Sequence, residues 1–161
     1  MSKEGEQSVA ASTSVKSSVL VGRYDHALDP KKRLTIPSEW RALMGNPAYI
    51  YAMPDRKERC INLIPQAEME VWLERLRAQA LFDPVLGKVM QQIGSLSMTL
   101  SFDVQGRIRI ADKLLQFANL TTTVAMVGSV KMIKLWDPAA LGPADEIDQA
   151  ALDAALAAVP F

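Results

Sequence analysis

The residues best able to do chemistry are two carboxylate–guanidinium pairs at one spacing, Asp29–Arg33 and Asp103–Arg107. An arginine offers a planar fork of donors that fits a carboxylate, a phosphate oxygen or the edge of a guanine. A carboxylate four residues earlier can hold that fork in place, yet as an anion it repels phosphate. Asp29 and Asp103 therefore read as structural members of the motif. For Arg33 and Arg107 a structural role and a contact role are both open. The first pair encloses Lys31 and Lys32; the second encloses Gln105 and Gly106, with Arg109 two residues beyond. A turn tip rarely buries charge, so Lys31 and Lys32 are the candidates for direct phosphate contact. Arg33, Arg107, Arg109 and Arg23 complete the candidate DNA-binding set, and Arg41 and Lys113 could add backbone contacts. Gln105 could read adenine, although a solvated turn residue is the plainer reading. The first copy, richer in cations, is expected to dominate affinity.

Catalysis has little to draw on. The chain has one histidine, His26, and one cysteine, Cys60, which leaves nucleophilic triads and Cys/His zinc sites short of members. It has neither a G-x-x-x-x-G-K-[ST] phosphate loop nor a G-x-G-x-x-G fingerprint. The expectation is a non-enzyme with no cofactor, no metal and no small-molecule substrate. Net charge is zero, from 18 basic and 18 acidic residues, which at first argues against a nucleic-acid partner. The distribution reverses that. Residues 19–60 hold eight basic and five acidic groups, residues 93–136 five and two, and residues 137–161 five acidic groups and no basic one. Two basic segments are hidden in the total by an acidic end. No apolar run approaches the roughly 18 residues of a membrane span, and the N-terminus lacks the apolar core of a signal peptide. A cytoplasmic, nucleoid-associated protein with no membrane partner is expected.

The elements that must position these residues occur twice. A strand leads to the turn Asp29–Lys32, then come a strand over 33–36, a short helix over 39–44 closed by Gly45-Asn46, a strand over 48–53, a charged turn and a strand over 60–64. The same order recurs as a strand, the turn Asp103–Gly106, a strand over 107–110, a helix over 112–118 and strands over 124–127 and 132–136. Asp29 and Asp103 lie 74 residues apart, as do Arg33 and Arg107, and Ile36 and Ile110. This is one tandem duplication. The expected organisation is a disordered tail over 1–18, a first repeat over 22–66, a helical connector over 67–93, a second repeat over 95–138, and an acidic, Ala-rich C-terminal helix over 143–161. In the connector, Met69, Trp72, Leu73 and Leu76 share one helical face, and Asp83-Pro84 opens a second helix.

These residues carry a family resemblance. GRYDHALDPKKRLTIP, at residues 22–37, resembles the first motif of MraZ proteins, G-x-x-x-x-x-L-D-x-K-G-R-L-x-I-P. DVQGRIRI, at residues 103–110, resembles their second, and Leu81-Phe82-Asp83-Pro84 matches a segment common between the family's halves. The resemblance covers roughly residues 20–140. Two positions depart from it: Lys32 stands where glycine is usual, and Ala111 where proline is usual. Glycine there permits a positive φ, so Lys32 is expected to be strained or to change the turn.

The resemblance implies a mainly β, α+β fold: two AbrB-like (SpoVT-AbrB) swapped-hairpin repeats forming one intrachain pseudo-dimeric barrel, with connecting helices and a C-terminal helix. It implies a sequence-specific DNA-binding transcriptional regulator. Such a protein would act as a ring homo-oligomer on short direct repeats in the promoter of the division and cell-wall gene cluster. Two alternatives stay open: an antitoxin-like protein-binding module on the same fold, and a barrel that has lost DNA binding and serves as a scaffold.

Overall fold

Strict alternation places every second residue of a short strand against the core. In Arg33-Leu34-Thr35 and Arg107-Ile108-Arg109 the middle residues are fully buried, and the flanking side chains stay half-buried or exposed. The computed structural model describes residues 19–160, so the tail expected over 1–18 lies outside the described residues. The elements run β1 (Arg23–Ala27), β2 (Arg33–Thr35), α1 (Ser38–Leu43), β3 (Tyr49–Pro54), β4 (Ile61–Ile64), α2 (Gln66–Ala80), α3 (Pro84–Leu96), β5 (Met98–Ser101), β6 (Arg107–Arg109), α4 (Asp112–Ala118), β7 (Thr123–Gly128), β8 (Ile133–Trp136), α5 (Pro138–Leu141) and α6 (Gln149–Ala158).

The strands exchange between copies. One antiparallel sheet has the order β1-β7-β8-β4-β3-β5, and β2 pairs with β6 in a separate two-stranded ribbon. The first strand of each copy thus lies on the hairpin of the other: β1 on β7, with Arg23 opposite Val127, and β5 on β3, with Leu100 opposite Ile50. The two hairpins meet at β4 and β8, where Leu63 lies opposite Ile133. An approximate twofold passes between them. Sheet and ribbon form an open barrel around one shared core that includes Leu34, Ile36, Ile50, Leu63, Ile108, Ile110, Val124, Met126 and Leu135. Burying each such aliphatic side chain stabilises the fold by about 1.5–3 kcal/mol, so the exchange is fixed by a core that neither copy could close alone.

The short helices plug the barrel ends. Trp40 of α1 is buried, its indole N–H donates to the Val21 carbonyl at 2.9 Å, and Tyr24 meets it edge-on at 4.9 Å. Leu114, Leu115 and Ala118 are the buried face of α4, which ends at Asn119 in the left-handed conformation. In the connector, Met69 is buried and Trp72, Leu73 and Leu76 are half-buried, so the apolar face lies where the periodicity puts it. Asp83 caps α3 by accepting from the Val85 amide at 3.0 Å.

The hairpin turn after β3 is locked from the other copy. The Asp55 carboxylate accepts from the Lys57 and Glu58 amides, from Asn62, and from Lys134 of β8 at 2.8 Å. Burial alone would push this carboxyl up, but those bonds outweigh it and hold it well below the usual carboxylate range. Cys60 belongs to that turn, where its carbonyl accepts from the Asp55 amide, so β4 begins one residue later than the sequence suggests.

One expectation changes. No single helix spans 143–161. Gly142, at φ 86°, ends α5, and Pro143 follows it. Helix α6 begins only at Gln149, where Asp148 supplies the N-cap by accepting from the Ala151 amide at 3.1 Å. The alanine-rich composition of 143–161 does not mark that start. Residues 144–160 are exposed.

Candidate functional site

Each Asp-x-x-x-Arg motif builds its own turn. The Asp29 carboxylate accepts from the Lys31 amide at 2.9 Å and the Arg33 amide at 2.8 Å through Oδ1, and from the Arg33 guanidinium at 2.7 Å through Oδ2. Asp103 repeats this with Gln105, Arg107 and the Arg107 guanidinium at 2.9, 2.9 and 2.7 Å. The backbone bond from the arginine amide holds each carboxyl below its usual range, burial opposes it, and the guanidinium reinforces it. The turn thereby sets the arginine's direction before any ligand arrives. Asp29 also faces Arg107 of the other copy at 3.9 Å.

Both turns have one backbone shape. Gly106 takes φ 78° and Lys32 takes φ 62°. Lys32 therefore accepts the left-handed conformation that its neighbours demand, at a cost of order 1 kcal/mol. Its ammonium reaches Asp112 at the start of α4, which belongs to the other copy. The Lys32 bond is the main reason the Asp112 carboxyl is held low, and nearby Arg109 adds to it.

The ribbon joins the motifs. Arg33 lies opposite Arg109, Leu34 opposite Ile108, and Thr35 opposite Arg107. Leu34 and Ile108 face the core, so Arg33, Thr35, Arg107 and Arg109 share the outer face. The pairing hands Arg109, a residue of the second copy, to the first turn. One end of the ribbon then holds Lys31, Lys32, Arg33, Arg109 and Lys113 against Asp29 and Asp112. The other holds Arg107 and Arg41 with Asp103, and Val104 is fully exposed with Gln105 beside it at the turn tip.

Five of the six expected contact residues thus come together: Lys31, Lys32, Arg33, Arg107 and Arg109. Arg23 does not join them. Its guanidinium is held by Asp25 at 2.9 Å and by the Gly142 carbonyl at 2.8 Å. Four strand residues, about 13 Å, separate it from the end of β1 that leads into the first turn. It anchors the C-terminal segment. His26 is exposed on β1. Burial pushes the Cys60 thiol up to about 11, so it stays protonated at neutral pH.

Two hairpin units exchanged within one chain, closed over a shared core and presenting a cationic ribbon, define a tandem swapped-hairpin protein. Comparison with known proteins agrees. The family model described as "MraZ protein, putative antitoxin-like" matches residues 97–141. The chain is 31% identical over 118 residues to the "Transcriptional regulator MraZ" of Spiroplasma kunkelii, covering 73% of this chain and 81% of that one. It is 30% identical over 118 residues to the protein of that name from Dictyoglomus thermophilum, covering 73% and 79%. For the one from Pelagibacter ubique the figures are 27% over 124 residues, 76% and 80%. The chain belongs to the MraZ family. Those relatives are named for regulating transcription, not for a catalysed reaction. Among the described residues, no helix is long and apolar enough to cross a membrane.

Proposed function

We propose that this chain is a sequence-specific DNA-binding regulator of transcription whose contact surface is the outer face of the β2–β6 ribbon. The observation that carries the reading is Arg33 directly opposite Arg109, flanked by Lys31 and Lys32. Like charges facing each other across a strand pair destabilise it, and a phosphate backbone would convert that repulsion into attraction. Arg33, Arg107, Arg109, Lys31 and Lys32 are the proposed contacts, and Asp29 and Asp103 aim the arginines. The repeats over 22–66 and 95–138 act as one binding unit, joined by the connector over 67–93.

One such face neutralises few phosphates, so useful affinity calls for several subunits on adjacent sites. This supports a ring homo-oligomer on short direct repeats in the promoter of the division and cell-wall gene cluster, in a cytoplasmic, nucleoid-associated protein that performs no catalysis. The test is a mobility-shift titration on the DNA upstream of the chain's own gene. Binding should fall steeply with salt, and the double variant K31A/R33A should bind far more weakly. If that variant binds as tightly as the wild type, the ribbon is not the reading face. The antitoxin-like description of the matched family model supports a second reading, a protein-binding module. A small protein co-purifying in stoichiometric amount, without DNA binding, would favour it.

A further inference from the structure

The second turn lacks the lysine of the first, but it does not lack a cation. Gly106 is buried even though it sits in a surface turn, whereas its counterpart Lys32 is exposed. What covers Gly106 is Arg41, from α1 of the other copy. A Cβ at Gly106 would overlap the Cζ and Nε atoms of Arg41. The Arg41 Nε donates to the Ile36 carbonyl at 3.0 Å, and Ile36 itself donates to the Gly106 carbonyl at 3.0 Å. The guanidinium is thus pinned by one edge to the end of β2. Among the described residues no carboxylate lies within ion-pairing distance of it, unlike Arg33, Arg107 and Arg23. The duplication makes the contrast sharp. The residue 74 positions after Arg41 is Leu115, which is buried, and beside it the first turn leaves an open cleft lined by Lys32, Asp112 and Leu115.

Building on the DNA-binding reading, we propose that Arg41 is a phosphate-binding residue of the second turn, supplied across the barrel by the first copy, standing in for the side chain that Gly106 lacks. The two turns use one cation each at equivalent places. At the first it is the turn's own Lys32; at the second it is a guanidinium from the neighbouring helix, and glycine at 106 is what gives it room. An arginine held by Nε keeps its two terminal nitrogens for a phosphate oxygen and loses little freedom on binding.

The experiment measures the slope of log affinity against log salt on the upstream duplex by fluorescence anisotropy. It compares wild type, R41Q, R41K, R41L and the double variant R41L/G106K, each checked by thermal unfolding. Leucine at 41 copies Leu115, and lysine at 106 copies Lys32, so the double variant rebuilds the first turn in the second. R41Q and R41L should each reduce the slope by about 0.9, the share of one phosphate. R41K should keep it, and R41L/G106K should restore it. A purely structural Arg41 would not be replaced by a lysine at another position. The proposal is overturned if R41Q and R41L keep the wild-type slope, or if the folded double variant fails to restore it. Should the double variant not fold, R41Q against R41K decides by the same criterion. A wild type that does not bind the duplex at all overturns the DNA-binding reading itself, and this inference with it.

Discussion

At the first-turn end of the ribbon five cations stand with two carboxylates; at the second-turn end two arginines stand with Asp103, and the tip is Val104-Gln105. Behind both ends the structure is nearly the same. The turns share a backbone shape, the carboxylate lock repeats to within 0.1 Å where the two copies share a bond, and Leu34 faces Ile108 in one core. The duplicated parts that hold the barrel have stayed alike, and the outward parts have diverged. Two motifs that look like copies thus need not contribute equally.

The largest expected effects test the shared part. L34A and I108A should each cost about 2–5 kcal/mol in urea unfolding, by lost burial and the cavity left behind. Similar values keep the equivalence of the two cores; a much smaller loss for one would break it. The turn locks should separate the ends somewhat. D29N releases Arg33 and loosens Arg107 as well, whereas D103N releases Arg107 alone. Thermal unfolding should therefore show the larger fall in Tm for D29N. Both carboxyls sit below their ordinary 3.8 in the fold. Their contribution is therefore present above that value and is lost as pH falls through the lowered one. An acid titration should thus leave Tm of the wild type and of D29N converging below pH 3.8.

Surface changes should be smaller and opposite in sign for folding and binding. R109A removes the charge facing Arg33, so it should raise stability by about 0.5 kcal/mol while lowering the salt slope by about one phosphate. A fall in both would mean that Arg109 braces the ribbon instead. K32G should move Tm by no more than about 3 °C. Relief of the left-handed lysine offsets glycine's extra freedom in the unfolded chain and the lost pair with Asp112. Anisotropy titration should still show weaker binding.

Much of this was legible in the sequence, because strand, turn and helix signals are local. The spacing of 74 residues, the two turns and the helix Asp112–Ala118 all follow from periodicity and motif order. The aspartates' structural role followed from their charge. Which cations share an end did not. Arg109 belongs to the first turn only through the register of β2 on β6, and register is set by a core assembled from both copies. Arg41 was visible as a basic residue, but its place over Gly106 depends on the same exchange. Arg23 sits near the motif in sequence, yet its guanidinium is held by Asp25, two residues along the same strand, and by the Gly142 carbonyl, and only the second of these depends on tertiary contact. The start of α6 is not legible in the alanine content; in the structure Asp148 caps it.

Dominance of the first turn in DNA affinity can be measured by comparing two turn-tip variants on the upstream duplex. K31A/K32A changes the first tip and V104A/Q105A the second. K31A/K32A should lower the salt slope by about two phosphates, whereas V104A/Q105A should leave it at the wild-type value and bind nearly as tightly. Equal losses from the two variants, or a greater loss from the second, would contradict it.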